Sequence, residues 1–370
     1  MTAQPPTIYD VARAAGVSIA SVSRVLNGQG NPRADTRQRV LQAVEELGFV
    51  PDGAARALSA RLKEVVGVVV LRPKSQWHGA NMFADEDENL QFPDMINRGM
   101  EVVAQRHGFD LLIRSVDLEE PDAGRQIFAL ARKSDGLILH DRVLSPEQLD
   151  MLSRQIPVVT LAGVPTATTA NVHGDNEGGM RALARHLIYD HGYLTIAYLA
   201  GHEGSPDSMT RGQALADEVA AAGGTLLSGE EWRGSYQAAV GAQAMERLIE
   251  RGVELPRAIV CANDQSAIGV LHALAQHGIS VPGDVAVAGF DDMPVARHLR
   301  PQLTSVRQSI QDLGATAFET VYAMIGRGHD AADSPRGRDI ALPTTLIRRE
   351  SCGCQPHSLG PAPRTPEVTG

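Results

Sequence analysis

The chain has 370 residues, 43% of them hydrophobic and 21% charged, an ordinary globular composition with enough length for more than one domain and a sizeable core. No apolar run approaches the ~18 residues of a membrane span, and Met1 to Thr7 lack the charged-then-apolar pattern of a signal peptide, so no membrane partner and a cytoplasmic location are expected. The net charge of −10 is uneven: eight cations against five acids through residue 63 leave +3 there and −13 on the rest, which suits the first part of the chain, and not the remainder, to phosphate.

Thr7 opens a first helix. Its hydroxyl can cap the free N–H groups with Asp10 three residues on, Ile8, Val11, Ala12 and Ala15 share one face, and Gly16 ends it. Ser18 caps a second helix with Val22, Val25 and Leu26 inward. After a loop from Asn27 to Arg33, a third helix spans about Ala34 to Leu47 on a stripe of Val40, Leu41, Val44 and Leu47, stopped by Gly48 and Pro51. Asp52 to Ala60 carries a capping Asp52 and four alanines but is too short to hold a helix alone in water, so its folding should depend on a partner. The run Val17-Ser18-Ile19-Ala20-Ser21-Val22-Ser23-Arg24 suits the reading helix of a helix-turn-helix: short side chains outward, valines inward, and one arginine able to pair with guanine. Periodicity alone also fits three helices of some other small bundle.

From Val65 the pattern changes to short apolar strands alternating with amphipathic helices. Strand candidates are Val65 to Leu71, Phe109 to Ile113, Gly136 to His140, Pro157 to Leu161, Thr195 to Leu199, Ala258 to Cys261 and Val285 to Phe290. Helical stretches lie at Asp94 to Arg106, Asn176 to Tyr189, Arg211 to Ala221, Gly241 to Glu250, Asp264 to His277 and Ile310 to Ile325. Such alternation means parallel sheets covered on both faces, and the strands are too many for one modest sheet, so two α/β lobes are expected. Lys74 to Gln91, with Trp77, His78 and the run Asp85-Glu86-Asp87-Glu88, reads as a solvated acidic loop, with a cleft lid as the other option.

Thr7-Ile8-Tyr9-Asp10-Val11-Ala12, Ala15-Gly16-Val17-Ser18, Val22-Ser23-Arg24-Val25-Leu26-Asn27, Gly48-Phe49-Val50-Pro51 and Ala54-Ala55-Arg56-Ala57-Leu58 together closely resemble the head and hinge of the lactose/galactose repressor (LacI) family. The resemblance implies an N-terminal all-α helix-turn-helix head with a hinge helix and an α/β body of two Rossmann-like lobes, like periplasmic binding proteins. It implies a head at 1–51, a hinge helix at 52–63 and a body at 64–350 for effector binding and dimerisation; a flexible tail is expected at 351–370, where the prolines, serine and threonines from Gln355 to Gly370 read as disordered. The lobes would be about 65–163 with 293–325, and about 164–292 with 326–350, with three crossings between them.

By that resemblance Ile19 and Ala20 stand at the two main specificity positions and Arg24 at a third. Thr7, Tyr9, Ser18, Ser21, Ser23 and Asn27 would touch phosphate or fix the helix on the backbone, which sets register. The hinge contributes Ala55 and Leu58, and Leu58 with its dimer mate would wedge into the minor groove. Arg33 departs from the small capping residue usual in relatives. In the body, Arg211, Asn263, Asp291, Tyr236 and Phe92 are the effector-binding candidates, with Trp232 the alternative aromatic and His173 and Asp175 weaker ones. Asp264 reads first as a helix cap and Asp292 as a turn residue.

Twelve histidines scattered without i,i+4 ligand spacing, and the lone pair Cys352 and Cys354 near the end, give no expectation of a metal site. Three cysteines in all, with Cys261, do not make a disulfide framework. No nucleophile elbow or Walker loop appears, so neither an enzyme nor a cofactor is expected. The expected function is a homodimeric repressor on a pseudo-palindromic, double-stranded operator, controlled by a small molecule, a sugar. The alternatives are the same repressor with a purine or nucleoside corepressor, and a sugar-binding module without regulatory DNA binding.

Overall fold

The computed structural model describes residues 6–26, 32–49, 62–71, 91–117, 120–326 and 334–355. The head is three helices, α1 (Ile8–Ala15), α2 (Ile19–Leu26) and α3 (Ala34–Leu47). Thr7 and Asp10 form the expected reciprocal capping box, and Gly16 and Gly48 end α1 and α3 in the left-handed conformation. Arg33 precedes α3 without a side-chain cap. Val11, Ala12, Ala15, Val22, Val40 and Ala43 are the buried core. The stripe of α3 differs from expectation: Leu41 is 48% exposed and Leu47 37%, because positions 40, 43 and 44, three and four apart, define the inward face.

Among the described residues the body holds two six-stranded sheets. The first runs in the order β11 (Asp339–Leu342), β5 (Ala170–Gly174), β4 (Val158–Leu161), β3 (Gly136–His140), β1 (Val65–Leu71), β2 (Asp110–Val116). The second runs β12 (Thr344–Ile347), β10 (Thr304–Gln308), β9 (Ala286–Asp291), β8 (Ala258–Cys261), β6 (Thr195–Leu199), β7 (Thr225–Leu227). Every pairing is parallel except β10 with β12. Helices α4 (Gln91–His107), α5 (Ala123–Ala131), α6 (Pro146–Ser153) and α11 (Ile310–Gly326) accompany the first sheet. Those of the second are α7 (Asn176–Arg185), α8 (Pro206–Ala221), α9 (Ala238–Glu250) and α10 (Asp264–Gln276).

Continuous apolar strands follow from burial on both faces. Along β1, Val66, Val68 and Val70 enter one core and Val69 the opposite one. On β8, Ala258 and Val260 alternate in the same way with Ile259 and Cys261. Helix pairs close tightly where glycine permits: a Cβ on Gly99 of α4 would strike the Gln311 carbonyl oxygen of α11, and one on Gly314 would strike that of Ile96.

The lobe limits differ from expectation. Strand β5 belongs to the first sheet, β10 to the second, and β11 to the first again. The crossings therefore fall at 175, 309 and 343 rather than near 164, 293 and 326, because pairing partners are distant in sequence: Asn171 donates to Asp339 at 2.8 Å. Each crossing is one residue long, Asp175, Ser309 and Pro343, and they lie in a row. The Asp175 N–H donates to the Leu342 carbonyl at 2.7 Å, the Thr344 hydroxyl donates to the Asp175 carbonyl at 3.0 Å, and Gln308 pairs with Thr344.

The expected tail also begins too early. Ser351 and Cys352 are fully buried, and the Ser351 hydroxyl donates to the Val287 carbonyl at 2.6 Å, so the chain through Gln355 belongs to the second lobe. Asn27, Ala55, Leu58, the 52–60 segment, the acidic run with Trp77 and His78, and residues 356–370 lie outside the described residues.

Candidate nucleic-acid interface and effector cleft

The head presents the first half of α2 to solvent. The Ser18 hydroxyl accepts the Ser21 N–H at 3.2 Å and holds the helix start. Ser18, Ala20, Arg24 and Thr7 are exposed, Ile19 is 40% and Tyr9 64% exposed, and Ser21 and Ser23 are half-buried. Val22 alone of α2 is fully buried. The Arg39 guanidinium donates to the Ala15 carbonyl at 3.1 Å, tying α3 to the end of α1. An exposed face of small side chains with one arginine, braced by two helices, is the geometry that enters a major groove.

In the body, polar side chains gather where strands end in carboxyl direction, the usual ligand edge of such sheets. Arg211 on α8 is buried, with its guanidinium carbon 3.7 Å from the centroid of the Phe290 ring. Its Nε donates to Asn176 Oδ1 at 2.7 Å, one terminal nitrogen to the Ala262 carbonyl at 2.7 Å, and the other to Asp207 Oδ2 at 3.3 Å. Three of five donors are thus taken by the protein. Next to Ala262, Asn263 caps α10 through the Ser266 N–H at 2.9 Å and donates to the Tyr236 carbonyl at 3.2 Å. The Tyr236 hydroxyl lies 2.9 Å from that of Ser205. Asp291 follows Phe290 at the end of β9 and accepts from Gln308 at 2.6 Å. Burial pushes its carboxyl up to about 7 against the pull of Arg211.

Arg211, Asn263, Tyr236 and Asp291 therefore share one neighbourhood. Phe92 is half-buried against the core of the first lobe. Two of the candidates sit in strained backbone: Ser235 and Tyr236 have φ of 50° and 64°, and Asp291 and Asp292 of 111° and 53°. Paired left-handed residues cost of order 1–3 kcal/mol each and concentrate at functional sites.

Other expectations change. Asp264 is not the cap of α10; Asn263 is. Asp264, fully buried, accepts from the Met293 N–H at 2.7 Å and the Ser305 hydroxyl at 2.6 Å. Asp292 is more than a turn residue, since it meets Arg307 at 2.7 Å and Arg349 at 2.6 Å. Trp232 is buried in the core of the second lobe, which removes it as the alternative aromatic. Asp175 caps α7 through the Gly178 N–H at 2.9 Å, and His173 meets Asp339 at 3.2 Å.

Several polar residues escaped sequence reasoning. Asn176 and Asp207 fix Arg211; Asp207 is four residues before it on the same helix, a spacing that was available as a signal. His140, at the end of β3, and His202, after β6, each keep a buried ring nitrogen without a partner. Burial brings both imidazoles down to about 4. Asp141 is pushed up to about 7 by burial, and Arg142 crosses to the second lobe to donate to the Glu203 carbonyl at 2.8 Å.

A small helical head that offers a reading helix, joined to a two-lobed body with polar residues at its strand ends, defines the class of ligand-controlled DNA-binding regulators. Residues 7–52 match the lacI family of bacterial regulatory proteins, and residues 184–352 match a periplasmic binding protein-like domain. The HTH-type transcriptional regulator GalS of Salmonella typhimurium is 34% identical over 318 residues, 85% of this chain and 88% of that protein. Catabolite control protein A of Priestia megaterium is 31% identical over 350 residues, 93% and 98% of the two chains. Among solved structures, the Lac repressor dimer bound to operator and the anti-inducer ONPF aligns with a TM-score of 0.78 at 25% identity, over 94% of this chain and 99% of that one. The transcriptional regulator CelR in complex with cellobiose aligns with a TM-score of 0.65 at 29% identity, over 94% and 99%. The chain belongs to the lacI family of bacterial regulatory proteins: it is a DNA-binding transcriptional regulator, not an enzyme. Among the described residues no helix is long and apolar enough to cross a membrane.

Proposed function

We propose that the protein is a dimeric cytoplasmic repressor whose α2 reads a pseudo-palindromic operator and whose cleft takes a sugar. The observation that supports the cleft assignment most is Arg211, a buried guanidinium with three donors fixed by the protein and two left for a ligand. A rigid fork of that kind suits paired hydroxyl oxygens. Asp291 would accept from ligand hydroxyls, Asn263 would add an amide, and Tyr236 and Phe92 would face the C–H side of the ring. On the DNA side Ile19 and Ala20 offer apolar contact, for example to a thymine methyl, so Arg24 carries the hydrogen-bonded readout. Thr7, Tyr9, Ser18, Ser21 and Ser23 set register on phosphate. The roles of Asn27, Ala55 and Leu58 rest on family resemblance alone.

The proposed dimer partner is a second copy. Leu112 and Ile113 on β2, an edge strand, and Val102 on α4 are exposed apolar side chains that a second copy would cover. The similarity to CelR, solved in complex with cellobiose, supports a sugar over a nucleoside. Thermal-shift screening of sugars and nucleosides with the full chain, followed by gel shifts with promoter DNA, tests this reading. The expected result is stabilisation by a sugar that also changes operator affinity, as linkage requires. Stabilisation by nucleosides alone would refute the sugar, and equal binding to random DNA would refute the operator. Arg211→Lys keeps the charge opposite Asp207 but loses the fork, so it should lose the sugar response and retain operator binding.

A further inference from the structure

At the end of α7 farthest from the cleft, about 15 Å along the helix from Asn176 at 1.5 Å per residue, the second lobe holds a compact cluster. Residues His186 to Asp190 form a π turn, in which the i→i+5 pattern sets residues five apart side by side. His191 thereby comes next to His186, with their Nε2 atoms 3.3 Å apart. The segment after β12 brings Cys352 and Cys354 to the same point, with Gly353 at φ 101° making the bend between them. One ligand atom from each of the four residues lies within 4.8 Å of all the others.

We propose that His186, His191, Cys352 and Cys354 bind one zinc ion in a closed structural site. Three observations carry this. The first is distance. Zinc bonds of roughly 2.0–2.1 Å to nitrogen and 2.3 Å to sulfur at tetrahedral angles require N–N of about 3.3 Å and N–S of about 3.5 Å. The observed values are 3.3 Å between the histidines, 3.4 Å from His186 to Cys352, and 3.5 Å from Cys354 to each histidine.

The second is valence. His186 Nδ1 lies 2.7 Å from Asp190 Oδ2, so Nδ1 carries the proton and Nε2 offers one lone pair. Three heteroatoms nevertheless surround that nitrogen. A single lone pair cannot serve three neighbours through hydrogen bonds, whereas one cation at their centre satisfies all four groups. The third is support around the ligands. Asp190 orients His186 in the way a carboxylate orients a metal-bound imidazole, the Thr304 hydroxyl donates to Cys352 Sγ at 3.1 Å, and Tyr193 stacks on His191 while its hydroxyl donates to the Cys352 carbonyl at 3.1 Å.

Binding converts two thiols to thiolates and releases two protons, and two thiolates with Zn²⁺ make a site of zero net charge, suited to its buried setting. Four protein ligands leave no open position, so the ion serves structure and fastens the chain from Ser351 to Gln355 onto the second lobe.

The test uses full-length protein without a histidine tag, purified without chelator. Elemental analysis should find about one zinc per protomer, and cobalt exchanged for zinc should give the visible bands of a tetrahedral ion with thiolate charge transfer. Cys354→Ser and His191→Gln, both at half-buried positions, should each lose the zinc and the cobalt spectrum and lower the unfolding temperature. Cys261→Ser, a thiol outside the cluster, should keep the zinc. A zinc content below about a tenth of an equivalent, cobalt bands without thiolate character, or full zinc in either cluster variant would overturn the proposal. If neither variant folds, metal content and the cobalt spectrum of the unmodified protein decide.

Discussion

Asp291→Asn isolates the charge of one cleft residue while keeping its shape. Burial holds the Asp291 carboxyl up to about 7, whereas an unfolded aspartate ionises near about 3.9. Between those values the native state keeps a proton that the unfolded state has lost, so native stability declines as pH rises through the window. Each pH unit there is worth about 1.4 kcal/mol, so the carboxyl removes roughly 2–3 kcal/mol of stability from about pH 5 to about pH 7. The amide of the variant has no charge to bury, and its carbonyl oxygen can still accept the Gln308 amide that now meets Asp291 at 2.6 Å. Urea unfolding of the native chain and the variant across that pH range should show a weaker decline in the variant, by about one proton's share. Some decline should persist, because burial also raises Asp264, and raises Asp141 to about 7. Parallel curves for the two proteins would refute the assignment of a buried, protonatable carboxyl to position 291. Above about pH 7, where Asp291 is ionised, the same variant should bind the proposed sugar more weakly, because a hydrogen bond to a charged group is worth about 1.5–3 kcal/mol.

Three other substitutions test separate parts of the structure. Arg24→Ala should cost about 1–3 kcal/mol of discrimination at a guanine position, read as a flattened preference in competition gel shifts. Thr7→Ala removes the hydroxyl that accepts the Asp10 N–H at 3.4 Å and should destabilise the head by about 1 kcal/mol, seen as faster amide exchange in α1. Gly99→Ala drives a methyl into the Gln311 carbonyl of α11 and should cost about 1–3 kcal/mol or more in thermal unfolding; an unchanged transition would mean that the two helices are not packed this closely.

The head was legible because its signals are local. Thr7 with Asp10, Gly16, Ser18 and Gly48 each act within a few residues, and the structure uses all four. The central strands were legible because burial on both faces leaves nothing but apolar residues in β1, β8 and most of β3 and β9. Strands β5 and β10 were missed because they carry polar residues that tertiary partners satisfy, Asn171 by Thr160 and Asp339, and Gln308 by Asp291. Strands β11 and β12 are half-exposed edges with little pattern, and without them the lobe limits could not be drawn. That Arg211, Asn263, Asp291 and Tyr236 come together was accessible through motif and strand-end position. The division of labour between Asn263 and Asp264 was not, since either residue type can cap a helix and only tertiary packing assigns Asp264 to Ser305 and Met293. The cysteine and histidine cluster was invisible for a related reason: spacing of five faces together only in a π turn, and the cysteines arrive from far along the chain.

The row formed by Asp175, Pro343 and Ser309 bears on how much the head can learn about the cleft. Three ties of one residue each, cross-linked by hydrogen bonds, permit folding across the row while resisting slip along it, in the manner of a hinge rather than a shear. A body closing about such a row would have one soft coordinate. Under the proposed control by a small molecule, two effectors of different chemistry that hold the lobes at the same angle would then be equivalent at the DNA, because the angle would be transmitted and the identity of the molecule that set it would not. Gln308, which precedes one tie and also holds Asp291, puts a candidate ligand contact directly on that spine.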